Sequence, residues 1–321
     1  MNKSTAYANA NIALIKYWGK SDVRLNVPAV PSISMTLSHL GTTVTVESID
    51  KNHELSDPSF KDSERARLFK YLELVREFFP YDGHLRITSK SSIPVSAGLA
   101  SSASFFAALA TALNDHFSLK LAKKELSILA RMGSASAARS IFGGFCALGY
   151  ESHEDAYAYE LKSDLDLAMV IAVVDQGPKK ISSREAMNIT ANTSPFFENF
   201  VKEQPKDFDK ALAAIKDGDF LALGKLMEHS TLKMFATMWT ALPAINYWKP
   251  ESLGLINLVY ELRNELGAVF FTMDAGPNVK ILCPSELLPQ VLSKVARSGL
   301  TVDIRSSALG QGVKIINEHL S

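Results

Sequence analysis

With 321 residues, 47% of them hydrophobic and 21% charged, the chain is long enough for two domains and too apolar for disorder to be its main state. Its 34 basic residues balance 34 acidic ones, which excludes an overall field for nucleic acid or an anionic membrane and leaves anion binding to a local cluster. Two cysteines, Cys146 and Cys283, exclude a secreted disulfide scaffold and fit reduced thiols in a cytoplasmic chain.

The first residues carry no apolar segment of a secretory signal, and none is expected. Asn11 to Ile15 is a short apolar run leading into Lys16-Tyr17-Trp18-Gly19-Lys20. Thr42 to Ser48 alternates β-branched and polar residues and predicts a strand. Leu68, Leu72, Val75 and Phe79 recur at helical spacing, which predicts an amphipathic helix over 64–79. His84 to Thr88 is a second strand, followed by a loop over 91–100. No charge occurs between Lys90 and Asp115, so a helix reaching about Asn114 should be buried over most of its surface; its serine-rich first half is too polar and too broken to span a membrane. Lys123 to Arg131 predicts a surface helix, ended by the small residues 133–138 and the Gly143-Gly144 break. Phe145 to Tyr150 predicts a strand. Leu167 to Val174 is a continuous apolar run and predicts a strand covered on both faces. Helices over 182–189, 208–234 and 252–266 then precede a strand over 268–273, the Asp274-Ala-Gly-Pro277 turn and a strand over 279–283. Further helices, a hairpin and a last strand near 312–316 complete an α+β second half. The boundary falls near residue 180, giving units 1–180 and 181–321.

Four groups of residues can carry chemistry. In the first, a strand feeds a Gly- and Ser-bearing loop (Ser96, Gly98, Leu99, Ala100) that opens a helix at Ser101-Ser102. Free amides and the helix dipole at such a point favour phosphate. A lone N-cap serine is the alternative, but strand, loop, double serine and buried helix in order favour the anion site. The familiar P-loop is excluded, because Leu14 stands where Gly19-Lys20-Ser21 would need its first glycine. In the second group, Lys16 and Lys20 are four apart and share one face of a helix or a strand. On pattern alone, two solvated lysines beside a packed Trp18 are the reading that would normally win. In the third, Ser136 and Arg139 share a helical face with Ser134 as a possible N-cap; a phosphate clamp and close helix packing both remain open. The fourth is Asp274, ordinarily an Asx-turn residue before Gly-Pro, here ending a strongly apolar strand and able to project into a cleft as a proton acceptor. The histidines, His116 and His229 included, show no ligand spacing and read as ordinary helix residues. The cysteines lack zinc spacing.

Six blocks, in order over nearly the whole chain, resemble the GHMP small-molecule kinase superfamily and, within it, the diphosphomevalonate decarboxylases. They are NIALIKYWGK (11–20), PSISMTL (31–37), IPVSAGLASSA (93–103), GSASAARSIFGG (133–144), KKISSR (179–184) and FTMDAGPN (271–278). The Gly-Leu-x-Ser-Ser-Ala loop is common to the superfamily; the first and last blocks are specific to the decarboxylases. The resemblance implies two α+β lobes around a deep cleft. It also implies an activity: ATP and Mg2+ phosphorylate the 3-hydroxyl of mevalonate 5-diphosphate, then phosphate and carbon dioxide leave to give isopentenyl diphosphate. By position it makes Asp274, Lys16 and Lys20 catalytic. Tyr17, Trp18, Gly19, Lys20, Arg65, Ser134, Ala135, Ser136, Arg139, Ser183 and Arg184 would bind the substrate. Ser96, Gly98, Leu99, Ala100, Ser101 and Ser102 would bind ATP, with Ser102 on the metal. A homodimer is implied as well. Ala135 stands where the family pattern often has glycine, and Arg184 replaces a threonine of some relatives, adding a cation suited to a diphosphate. A phosphomevalonate decarboxylase, a mevalonate 3-kinase and a non-catalytic sensor of the same fold are the alternatives.

Overall fold

A computed structural model describes residues 3–57, 60–93, 101–177 and 179–320. The first part of the chain runs β1 (Lys3–Ile15), a short hairpin of β2 (Lys20–Asp22) and β3 (Val27–Pro28), β4 (Ser32–Ile49) and β5 (Glu54–Leu55). It continues through α1 (Asp62–Phe78), β6 (His84–Ser91), α2 (Ser101–His116), α3 (Lys123–Gly133), a 3-10 turn over Ala135–Ile141, β7 (Phe145–Leu148) and β8 (Ala158–Leu161). After β9 (Leu167–Val173) come four helices: α4 (Ser183–Thr193), α5 (Phe197–Lys216), α6 (Phe220–Trp239) and α7 (Pro250–Leu266). The last elements are β10 (Phe270–Met273), β11 (Val279–Pro284), α8 (Leu288–Arg297), β12 (Asp303–Ala308) and β13 (Lys314–Ile316).

Two sheets organise the molecule. The larger has the order β13-β1-β4-β6-β5, with β7 on the far end of β4 and β8 beyond it. The smaller has the order β10-β11-β9-β12 and is antiparallel throughout. β1 is far longer than its apolar end suggests. Its first ten residues are rich in Ala and Asn, which carry little β signal, yet Ala6, Ala8 and Ala10 are fully buried. Small side chains let α2 settle directly on β1 and β4. β4 bends where its register with β1 shifts after Asn9, and His39 there takes φ 60°.

α2 spans the charge-free stretch and buries nearly all of its side chains, as its composition requires. The run 167–173 is indeed a strand with every residue buried, because helices and sheet cover both faces. Its partners are β11 and β12, so this strand, which a boundary near 180 leaves with the first half, lies in the second sheet. Conversely β13, from the far end of the chain, pairs with β1.

Three expectations change. The helix expected over 208–234 is two helices, α5 and α6, broken at Asp217-Gly218-Asp219: Gly218 takes φ 69° and Asp219 accepts the Ala222 amide at 2.9 Å as an N-cap. The helix over 123–131 is not a surface helix, since its last turn is buried and Arg131 is wholly enclosed. The expected C-terminal hairpin is absent, for β12 pairs with β9 while β13 crosses to the other sheet.

Candidate active site

β1 and β10 end beside each other, and the first residue beyond one and the first beyond the other meet. Lys16 follows Ile15; its amide donates to Ser230 Oγ at 2.9 Å, and Gln204 Nε2 donates to its carbonyl at 2.8 Å, so α5 and α6 grip its backbone. Asp274 follows Met273 in a loop held by two clamps. Asn278 Oδ1 accepts from Val174 N and Asp175 N at 2.8 and 3.1 Å, and Ser252 Oγ donates to the Pro277 carbonyl at 2.7 Å. Fixed in this way, Lys16 Nζ donates to Asp274 Oδ1 at 2.9 Å and to the Ala13 carbonyl at 2.9 Å. Lys280, on β11, lies 3.1 Å from Asp274 Oδ2.

The electrostatics follow from burial. Lys16 is 1% exposed, and loss of solvent pulls its ammonium down to about 8 against the upward pull of Asp274. Burial alone would raise the Asp274 carboxyl, but the Lys16 and Lys280 ammoniums outweigh it and hold the group well below the usual carboxylate range. Asp274 is nevertheless 24% exposed. It is an ionised carboxylate open on one side. Lys179 approaches over the turn, where a Cβ at Gly276 would lie 3.3 Å from its Cε. Lys179 is exposed over part of its surface, and partial desolvation followed by Lys280 lowers it to about 8.

From this centre a polar chain leads to the start of α2. Arg139 is 2% exposed; its Nε donates to Asn11 Oδ1 at 3.3 Å and its Nη1 to Ser32 Oγ at 2.6 Å. Asn11 Nδ2 donates to the Ser136 carbonyl at 2.9 Å. Ser136 Oγ is 3.2 Å from Ser134 Oγ, which is 3.4 Å from Ser102 Oγ in the first turn of α2. Ser134 makes no side-chain cap, so its hydroxyl bridges two segments instead of capping one. Ala135 is buried under this turn. The first turn of α2 contains no acidic residue, which leaves its positive dipole end uncancelled. Ser101 is exposed there; Ser96, Gly98, Leu99 and Ala100 lie outside the described residues.

A second cluster lies around Tyr17. Lys20 Nζ donates to Asn26 Oδ1 at 2.6 Å, and burial followed by Arg184 and Arg67 pulls its ammonium down to about 7. Arg67, half-buried on α1, donates to the Gly133 carbonyl at 2.5 Å and rests on the Phe106 ring at 4.7 Å. Burial and then Arg184 lower it to about 10. Among the described residues, Lys20, Arg67 and Arg184 form no ion pair with an acidic side chain. Tyr17 Oη is buried beside the two arginines without a hydrogen-bond partner among the described residues, as is Arg67 Nε. Buried donors with hydrogen-bonding capacity to spare beside such cations can hold an anion. Ser183 opens α4 next to Arg184, the cap itself being Ser182.

Several expected residues fall elsewhere. Arg65 donates to the carbonyls of Phe60, Leu55 and Asp57 at 3.2, 2.8 and 2.6 Å; its guanidinium is spent on the 55–60 loop, and Arg67 takes the place beside Lys20 and Arg184. Trp18 is 3% exposed and donates from Nε1 to Thr190 Oγ1 at 2.9 Å, so it anchors α4 in the core. Gly19 takes φ 91° and a Cβ there would strike Phe197, which explains the glycine by conformation and space. That turn also separates Lys16 from Lys20, sending them to different clusters. Lys280, Lys179, Arg67 and Asn11 went unselected in the sequence. A lysine inside the otherwise apolar strand VKILCP was the one readable signal among them.

The arrangement can bind several phosphates and hold an ionised carboxylate against lysines. A family model described as diphosphomevalonate decarboxylase-like N-terminal domain matches residues 8–158, and one described as mevalonate 5-diphosphate decarboxylase C-terminal domain matches residues 169–312. The solved mevalonate diphosphate decarboxylase from Staphylococcus aureus is 40% identical, with 98% of each chain covered and a TM-score of 0.93. A structure of MDDEF in complex with MVAPP, AMPPCP and magnesium is 36% identical, again with 98% of each chain covered and a TM-score of 0.90. The phosphomevalonate decarboxylase of Haloferax volcanii is 32% identical over 94% of each chain. With both halves matched, in order and nearly end to end, the chain belongs to the diphosphomevalonate decarboxylase family.

Proposed function

We propose that the Lys16–Asp274–Lys280 cluster is the reaction centre for ATP-dependent decarboxylation of mevalonate 5-diphosphate to isopentenyl diphosphate. The 2.9 Å contact between Lys16 and Asp274, joining residues 258 apart in sequence, carries this reading. Asp274 accepts the hydrogen of the substrate 3-hydroxyl on its exposed side. A weakly basic carboxylate suffices, because phosphoryl transfer passes through a loose transition state in which positioning counts for more than proton removal. When phosphate departs and positive charge grows on C3, the same anion faces it, placed where charge develops. Loss of the substrate carboxylate then quenches that charge. Arg139, Ser134 and Ser136 hold the substrate's carboxylate and phosphates, and Lys20, Arg67, Arg184 and Tyr17 take the terminal diphosphate.

The nucleotide fits the start of α2, where Ser102, next to Ser101, meets Ser134 and Lys179 stands over the Asp274 loop. No group of three or more His, Cys, Asp or Glu able to hold a metal occurs among the described residues. A magnesium ion held largely by phosphate oxygens and water, with the Ser102 hydroxyl, suits that donor set. Bound magnesium would neutralise phosphate charge during transfer. A cytoplasmic homodimer completes the reading, and sedimentation tests the dimer. Among the described residues no helix is long and apolar enough to cross a membrane.

The decisive experiment is ATP-dependent carbon dioxide release from mevalonate 5-diphosphate by the purified chain. Absence of release would defeat the reading and favour a sensor; ADP formed without carbon dioxide would favour a 3-kinase. The Haloferax relative, named for the monophosphate reaction, supports a second reading. Three cations without an ion pair among the described residues favour the diphosphate, and a higher kcat/KM on mevalonate 5-phosphate would reverse that choice.

A further inference from the structure

Lys280 stands in β11 between Val279 and Ile281, both fully buried, and is itself 1% exposed. An ammonium so placed is strongly unfavourable unless it is paired. β11 sets Lys280 opposite Thr272 on β10, two residues before Asp274, so the strand alternation directs Lys280 and Asp274 to the same face. Its Nζ lies 3.1 Å from Asp274 Oδ2 and 3.3 Å from the Asn278 carbonyl, while Lys16 holds Oδ1 at 2.9 Å. The carboxylate is fastened at both oxygens, from the end of β1 and from the middle of β11.

We propose that Lys280 is a positioning residue: it holds the Asp274 carboxylate in one orientation toward the substrate hydroxyl and supplies the second positive charge that stabilises it as an anion. The inference rests on the reading of Asp274 as the reaction-centre acid. The charged groups facing Asp274 are Lys16 after β1, Lys280 on β11, Lys179 ahead of α4 and Arg139 in the 3-10 turn; Lys16 and Lys280 are in contact with it. Removing Lys280 leaves Oδ2 without its cation and frees the carboxylate to rotate about its Cα–Cβ and Cβ–Cγ bonds. It also makes the acid easier to protonate.

Steady-state kinetics of Lys280→Met and Lys280→Arg test this. For Lys280→Met, kcat should fall by about 30-fold or more with both KM values changed by less than about threefold, the pattern of an interaction used in the transition state. Lys280→Arg should restore kcat to within about fivefold, because the second cation is back. Wild-type kcat in Lys280→Met, or a loss of kcat with no rescue by arginine, would overturn the proposal. If thermal unfolding shows Lys280→Met to be misfolded, Lys280→Gln is judged by the same criteria. Asp274→Ala separates the two ideas: an active Asp274→Ala defeats the reading of Asp274, whereas an inactive one beside a normal Lys280→Met defeats this inference alone.

Discussion

The two charged clusters of the site are built on opposite plans. Around Asp274, Lys16 and Lys280 are buried and paired at 2.9 and 3.1 Å. Around Tyr17, Arg184 and Arg67 lower the proton affinity of Lys20, Arg184 lowers that of Arg67, and none of the three forms an ion pair with an acidic side chain among the described residues. A paired cluster keeps its geometry whether or not substrate is present. An unpaired one stores repulsion that a polyanion releases on binding. The first suits chemistry at a fixed point and the second suits capture, so the protein divides into a preset centre and a set of cations completed by their ligand.

That contrast can be broken at either side. Asp274→Ala should lower kcat by about 1,000-fold or more while the chain still folds, since the group is needed chiefly as the transition state develops; initial-rate assays beside thermal unfolding check this, and near-normal turnover would remove Asp274 from the centre. Arg67→Met should act on capture instead. Loss of one charge-assisted contact to a diphosphate should raise KM for mevalonate 5-diphosphate by about 10- to 100-fold with a much smaller change in kcat. A loss confined to kcat would show that the clusters are not separate. The free Lys20 ammonium titrates near 7, and a bound anion favours its charged form. Binding should therefore take up a proton, and affinity should weaken as pH rises through the unliganded value, by about fivefold between pH 7 and 8. Calorimetry in buffers of different ionisation enthalpy measures that uptake, and Lys20→Met should abolish the slope. The smallest effect belongs to Arg65→Gln. Its guanidinium serves three loop carbonyls, so KM should stay within about twofold while the melting temperature drops.

Legibility in the sequence followed the range of the forces involved. The charge-free helix α2, the buried strand β9 and the helix α1 declared themselves through runs and periods of their own residues. β1 did not, because its alanines are buried by what packs on them and not by any property of their own pattern. The break between α5 and α6 sat in plain view as Asp217-Gly218-Asp219, but apolar periodicity on either side hid it. Motif blocks named many of the residues that the structure brings together, and the GHMP-kinase-type fold matched by the solved relatives agrees with what they implied. They pointed to Arg65, whose guanidinium the structure sets on the carbonyls of Leu55, Asp57 and Phe60. Residues two apart on a helix point about 200° away from each other, so Arg65 and Arg67 cannot share a fate, and only the packing of α1 against Phe106 decides which one faces Lys20.

By itself the sequence determined that the chain folds into an α+β protein with a phosphate-favouring helix start, an acid at the end of an apolar strand and two lysines near the beginning. Each of these is a property of neighbouring residues. Tertiary structure alone decided that this acid meets Lys16 across 258 residues, that Lys280 closes on its other oxygen, and that Lys16 and Lys20 go to different clusters. Ion pairs act only within a few ångströms, and such separations are set by how two sheets and their helices pack, which no local pattern encodes.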